Sequence, residues 1–236
     1  MKIVVLLLCC FFHSKPCFSQ LDTLNKKRLT TVVAVEAGMY TATMVGLNQL
    51  WYKGVPKSSF HFFNDNNEWL QMDKMGHTMT SYYVGKAGYE VLRWSGVNEK
   101  KSTWYGGTLG LFLLSSVEMF DAYSADWGFS TGDMIANTTG SALFIGQQLA
   151  WHEQRVLLKY SFHTTDYPSV RPNLLGSNLN EQLLKDYNGQ TYWLSANIAS
   201  FLGDETKFPK WLNFAVGYGA DGMYGGHDNV FEKDGT

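Results

Sequence analysis

Three short segments carry polar pairs at helical spacing on apolar backgrounds, and they constrain the chain more than anything else in it. Asp73 and His77 lie four apart in the run DKMGH. Glu118 and Asp121 lie three apart in SVEMFDAYSADWGFS, and Asp133 and Asn137 lie four apart just after it. Residues three or four apart share one face of an α-helix. Three successive helices, each with one such pair, can turn these pairs towards one another, so the sequence predicts a polar site inside a helical bundle.

The helices themselves are legible at moderate detail. Val32 to Tyr52 reads as a long apolar helix rich in small residues, capped by Thr30 or Thr31 and carrying the single acid Glu36. Its uncharged run from Ala37 to Tyr52 is shorter than the roughly 20 residues that cross a bilayer. Trp51 and Tyr52 at its end resemble an interfacial belt, and a bilayer-associated helix and a buried core helix both stand open. Residues 53–71 read as a loop, with turn residues at Gly54, Pro56 and the NDNN run at 64–67, and with Phe60, His61, Phe62 and Phe63 packing over something. His61 is read as a loop aromatic.

The second helix is expected over Asp73 to Ser95, with Gly96 after its end. The third runs from Ser102 to Tyr123, and Gly106, Gly107 and Gly110 allow a neighbour to approach closely. The fourth runs from Thr131 to Trp151, capped by Ser130 with Asp133 three residues on. From Met134 to His152 it has no formal charge, which makes it the best bilayer candidate, although Asn137, Gln147 and Gln148 weaken that case.

After His152 the character changes. Residues 163–178 form a strap punctuated by Pro168 and Pro172. Asn180 to Tyr187 reads as a short helix. Thr191 to Leu202 suits helix or strand, and helix is favoured. Trp211 to Tyr218 alternates like a strand, and its partner lies upstream or in natural sequence beyond Thr236. The predicted fold is therefore mainly α: a small bundle of about four helices with a C-terminal extension of short helix and some strand. The expected divisions are a signal peptide at 1–19, a polar segment at 20–29, the helical core at 30–152 and a wrapping extension at 153–236.

Residues 1–19 have the form of a secretory signal. Lys2 supplies the positive end, Ile3 to Phe12 the apolar run, and Cys17 and Ser19 the small residues before Gln20. All three cysteines lie in this segment, so disulfides and thiolate chemistry are excluded from the mature chain. Leu8 and Pro16 precede Cys9 and Cys17, where a lipobox needs a small residue, which argues against lipidation. With 19 basic and 21 acidic residues there is no expectation of a nucleic-acid partner. The expected location is the periplasm or the outer-membrane side of the envelope, with a membrane lipid or envelope component as partner.

Two chemistries suit the polar pairs. His77 with Glu118, Asp121 and Asp133 supplies a nitrogen and several oxygens, an acceptable set for a divalent metal or for acid–base work. Alternatively the six residues Asp73, His77, Glu118, Asp121, Asp133 and Asn137 form a hydrogen-bonded polar core that fixes helix register without chemistry. No HExxH, nucleophile elbow, phosphate loop or dinucleotide fingerprint is present. The balance favours a non-catalytic envelope protein, membrane-associated, with a structural or ligand-binding cluster. The alternative is a metal-assisted or acid–base enzyme acting on an envelope lipid or cell-wall substrate.

The order Asp73-Lys74-x-x-His77, Glu118-x-x-Asp121, Trp127-x-x-Ser130-x-x-Asp133-x-x-x-Asn137-x-x-Gly140 resembles the pattern of the YfiM-like bacterial envelope proteins, described as periplasmic lipoproteins. It is also similar to the helical core of the VanZ-like membrane proteins, which are linked to teicoplanin resistance. The resemblance covers roughly residues 30–150. It implies an envelope location and a small helical domain, and it brings no reaction with it.

Overall fold

The computed structural model describes residues 23–203 and 205–229, without the side chains of residues 50 and 51. The signal segment, its cysteines and the Trp51 side chain lie outside the described residues. The chain is mainly α. Four helical rods form the core: α1 (Lys26–Leu47), α2 (Met72–Trp94), a rod broken at Thr108 into α3 (Glu99–Gly107) and α4 (Leu109–Asp121), and α5 (Thr131–Trp151).

Local chemistry explains where the rods start and stop. The Asn98 side chain caps α3, accepting from Lys101 N at 2.9 Å, and Ser130 caps α5, accepting from Asp133 N at 3.0 Å. Gly96 follows α2 with φ +84°, a left-handed position that suits glycine. Two expected boundaries need correction. The first helix begins at Lys26, where Asn25 accepts from Arg28 N at 3.1 Å, so the last four residues of the expected polar segment are helical. The third begins at Glu99 and ends at Asp121, because Asn98 is a better placed cap than any residue near Ser102. Beyond α1 the chain continues as one π-helical turn, Asn48–Tyr52.

Glycines set the spacing of α2, α3–α4 and α5. A Cβ on Gly106 would lie 2.2 Å from Tyr89 N, one on Gly110 2.2 Å from Ser81 O, and one on Gly140 2.1 Å from Thr78 O. No side chain fits between these backbones. Tyr82, Phe144, Ile145 and Leu158 then close an apolar core at the middle of α2 and α5. By contrast α1 is a loose member. Of its described side chains Val32 alone is buried, while Val33, Val35, Met39 and Val45 are exposed. It is tied on by Tyr40 Oη donating to Ser116 Oγ at 3.0 Å and by Asn25 N donating to Ser95 O at 2.9 Å. No helix among the described residues is long and apolar enough to cross a membrane.

The loop between α1 and α2 carries β1 (Phe62–Phe63), which pairs in parallel with β2 (Phe129–Ser130) just before α5. It closes with a 3₁₀ turn, Trp69–Gln71, in which Trp69, Leu70 and Gln71 all have positive φ.

The C-terminal extension is a three-stranded antiparallel sheet, β3 (Val156–Phe162), β4 (Gln190–Asn197) and β5 (Asn213–Gly219), in that spatial order. Three short helices lie between β3 and β4: α6 (Tyr167–Val170), α7 (Pro172–Leu175) and α8 (Leu179–Lys185). The favoured helix over 191–202 is thus a strand up to Asn197. Its burial alternates from Gln190 to Trp193, where Tyr192 packs against Met72 and Tyr160; beyond them Leu194 is half exposed and Ser195 is buried. The expected strand at 211–218 is β5, and its partner lies upstream, in β4.

Candidate functional site

The N-terminal ends of α2 and α5 meet the C-terminal end of α4 at one end of the bundle, and all six sequence candidates gather there. The β1–β2 bridge and the Ser130 cap set the geometry. Ser130 N donates to Glu118 Oε2 at 3.1 Å, and Ser130 Oγ donates to Asp65 Oδ1 at 2.7 Å. One residue therefore starts α5, fixes the last turn of α4 and draws in the loop.

Lys74 is the cation at the centre. Its Nζ lies 2.6 Å from Asp65, 2.8 Å from Asp133 and 3.5 Å from Asp73, and the residue is 9% exposed. Burial favours the neutral amine, but the surrounding carboxylates outweigh it and hold the ammonium above its ordinary range. His77 Nδ1 donates to Asn137 Oδ1 at 2.9 Å, which leaves Nε2 facing Asp73 Oδ1 at 3.8 Å. Burial lowers the imidazole's proton affinity, and Asp73 and Asp133 raise it further than burial lowers it. Asn137 is fully buried. Its Nδ2 has no hydrogen-bond partner among the described residues.

The acids outnumber these cations, and their proton affinities show it. Burial, then repulsion from Asp133, pushes the Glu118 carboxyl up to about 8. Burial, then Asp73, pushes Asp133 to about 7. Asp121 rises to about 6 through burial, although Tyr52 Oη donates to it at 2.6 Å. Asp65 goes the other way: burial would raise it, but hydrogen bonds from Lys74 and Ser130 leave it below the usual carboxylate range.

These shifts predict the pH dependence of stability. Glu118, Asp133, Asp121 and His77 all bind protons more tightly folded than unfolded. Each adds stability that is complete below its unfolded value and lost as pH rises through its folded value. Asp65 opposes them only around and below its ordinary value. The melting temperature is therefore expected to rise as pH falls from about 8.5 to about 5. A thermal melt series in one buffer system checks this, and a flat or falling profile would contradict the arrangement.

The cluster is not sealed. It opens into a cleft of about 430 Å³ whose walls include Asp65, Asp73, His77, Glu118, Asp121 and Asp133, with Trp69, Trp127 and Tyr187 among the rings. Tyr187 Oη donates to Asp73 Oδ1 at 2.9 Å, so the extension forms one wall. One ligand atom each from Asp73, His77 and Asp133 lie within 4.8 Å of one another. The centre of such a triangle is ~2.8 Å from each corner, slightly wider than the roughly 2.0–2.6 Å of zinc or calcium ligation. Glu118 and Asp121, two of the four expected metal ligands, stand outside this group; their nearest partners are Ser130 N and Tyr52 Oη.

Reasoning from sequence left out Asp65, Tyr52 and Tyr187. Asp65 sits in a turn-rich run that looks the same whether its carboxylate is solvated or reaches Lys74. Lys74 pairs with Asp65 of that loop and with Asp133 of α5.

The fold and site define a helical bundle with an acid-walled cleft at one end, one wall of which is built by the short helices of the C-terminal extension. Within it, residues 61–146 match the model of a family described as "Predicted periplasmic lipoprotein (DUF2279)". That span runs from the aromatic loop through most of α5, and so includes all six candidates. No curated protein and no solved structure matches the chain.

Proposed function

We propose that this is a cell-envelope protein whose helical core binds a divalent cation in the acid-walled cleft, in a ligand-binding rather than a catalytic role. The observation that carries this is the convergence of Asp73, His77 and Asp133 on one point of an open cleft. The Asn137 contact supports it, because a proton on Nδ1 donated to Asn137 fixes the ring and leaves Nε2 as the free ligand atom. The excess of carboxylates supports it too, since a bound dication would offset the burial and repulsion that raise Glu118 and Asp133. One nitrogen and two carboxylates suit a borderline ion such as zinc or manganese. The envelope location rests on the description of the matching family and on the form of residues 1–19. Kinship with the YfiM-like and VanZ-like proteins rests on the order of the DKxxH, ExxD and DxxxNxxG segments.

A second reading follows from Glu118 and Asp121. Two carboxyls in one cleft, held near 8 and near 6, are arranged as an acid and a base at neutral pH. On that reading the cleft performs acid–base chemistry on an envelope lipid or cell-wall substrate.

Metal titration tests the first proposal. The parent chain is expected to bind zinc or manganese near one to one and to melt higher with it. His77→Ala and Asp133→Asn are expected to weaken binding at least about tenfold, the least that losing even a hydrogen-bond partner of a ligand costs. No uptake by the parent, with no change in melting, would remove the cation and leave the polar core as a device for helix register.

A further inference from the structure

The end of the bundle opposite the cleft has its own character. There the start of α1, the end of α2, the start of α3 and the end of α5 come together. Asn25 N donates to Ser95 O, and both Gln148 and His152 donate to Glu99 Oε1, at 2.8 and 2.9 Å. Lys26, Lys27, Lys100 and Lys101 are exposed at this end, joined by Arg28 and Arg155. The acids Glu99 and Glu153 are each already engaged, with His152 and with Arg155.

Aromatic rings sit among these bases. Arg28 lies over Trp94 at 4.8 Å and Arg155 over Trp151 at 5.1 Å, and both tryptophans are more than a third exposed. Behind this end α2 carries Lys86, Glu90 and Arg93, whereas the sides of the other three rods carry almost no charge. None occurs between Lys101 and Glu118 or between Asp133 and Glu153, and between Arg28 and Lys53 the one charge is Glu36, whose Oε1 is buried.

We infer that this basic, tryptophan-bearing end of the bundle docks on an anionic lipid bilayer. Exposed lysines complement the phosphates, each contributing attraction close to the surface. Indole rings and the aliphatic stems of Lys and Arg suit the interface just beneath. A hydrophilic polyanion would match the lysines alone and would leave exposed Trp94, Trp151 and the uncharged helix sides unaccounted for. Lipid matches all three. The docking surface is separate from the cleft, which lies at the other end of α2, ~32 Å away at 1.5 Å per residue, and it does not depend on what the cleft binds.

Flotation of the full chain with vesicles tests it. Binding is expected to vesicles of phosphatidylcholine with about one-third phosphatidylglycerol, and to be at least tenfold weaker to phosphatidylcholine alone. The variant Lys26→Glu/Lys27→Glu/Lys100→Glu/Lys101→Glu is expected to lose at least tenfold on the anionic vesicles. All four positions lie in the first turns of α1 and α3, where acids favour the helix dipole, so its melting temperature is expected to hold. A second measurement needs no variant: about 0.5 M salt is expected to release the parent chain. Equal binding to both vesicle types, an unaffected variant, or retention in salt would each overturn the docking surface.

Discussion

Gly140→Ala is expected to lower the melting temperature by about 6–12 °C or to prevent folding, and Gly110→Ala to do the same. The new methyl carbon would lie 2.1 Å from Thr78 O in the first case and 2.2 Å from Ser81 O in the second. Both obstacles are backbone, so no rotamer change makes room and the helices must separate. Overpacking typically costs about 1–3 kcal/mol; a rigid backbone obstacle puts these sites at the top of that range, and each kcal/mol is about 2–4 °C for a chain of this length. Gly146→Ala is the matched control. It lies on the same helix with nothing within 4 Å of the added carbon, and removing a helical glycine there should stabilise by up to about 1 kcal/mol. Thermal melts of the three variants check the contrast. Equal effects at Gly140 and Gly146 would mean that α2 and α5 do not touch as described.

Lys74→Met should be comparably damaging, by about 3–5 kcal/mol at neutral pH, because it leaves buried Asp133 and partly buried Asp65 facing each other without their cation. The methionine fills the space, so the loss reports charge rather than a cavity. Low pH should narrow the gap with the parent, since Asp65 and Asp133 can then take up protons. Denaturant unfolding of parent and variant at pH ~7.5 and ~5 measures both effects. A loss below about 1 kcal/mol at the higher pH would place the Lys74 ion pairs with ordinary surface pairs.

Helices α2 and α5 could be read from the sequence nearly to the residue, because their signals are local: an acid in the first turn, a serine cap, a glycine after the end. The polar pairs converged for the same reason, since helical spacing alone decides which face they share. What escaped depends on partners distant in the chain. β4 was ambiguous because TYWLSAN tolerates either state until β3 lies beside it, and β3 itself, VLLKYSF, has no clean alternation. Asp65 and Tyr187 reach the site from a loop and from the extension, 114 positions apart in the case of Tyr187 and Asp73. Asp73, grouped only with the polar core, stands with His77 and Asp133, while Glu118 and Asp121 have other partners.

The left-handed elbow at Trp69, Leu70 and Gln71 has a consequence for how this site can change over time. Three consecutive side-chain-bearing residues in that region cost roughly 1–2 kcal/mol each, and the elbow ends where α2 presents Asp73 and Lys74. Glycine at Leu70 would relax the backbone and make the fold more robust, yet it would also free the first turn of α2 to wander. Robustness and a sharply aimed pair of charges are therefore in competition at this one bend. A lineage under pressure for heat tolerance alone should drift towards glycine there, whereas one that uses the cleft should keep the strained residues.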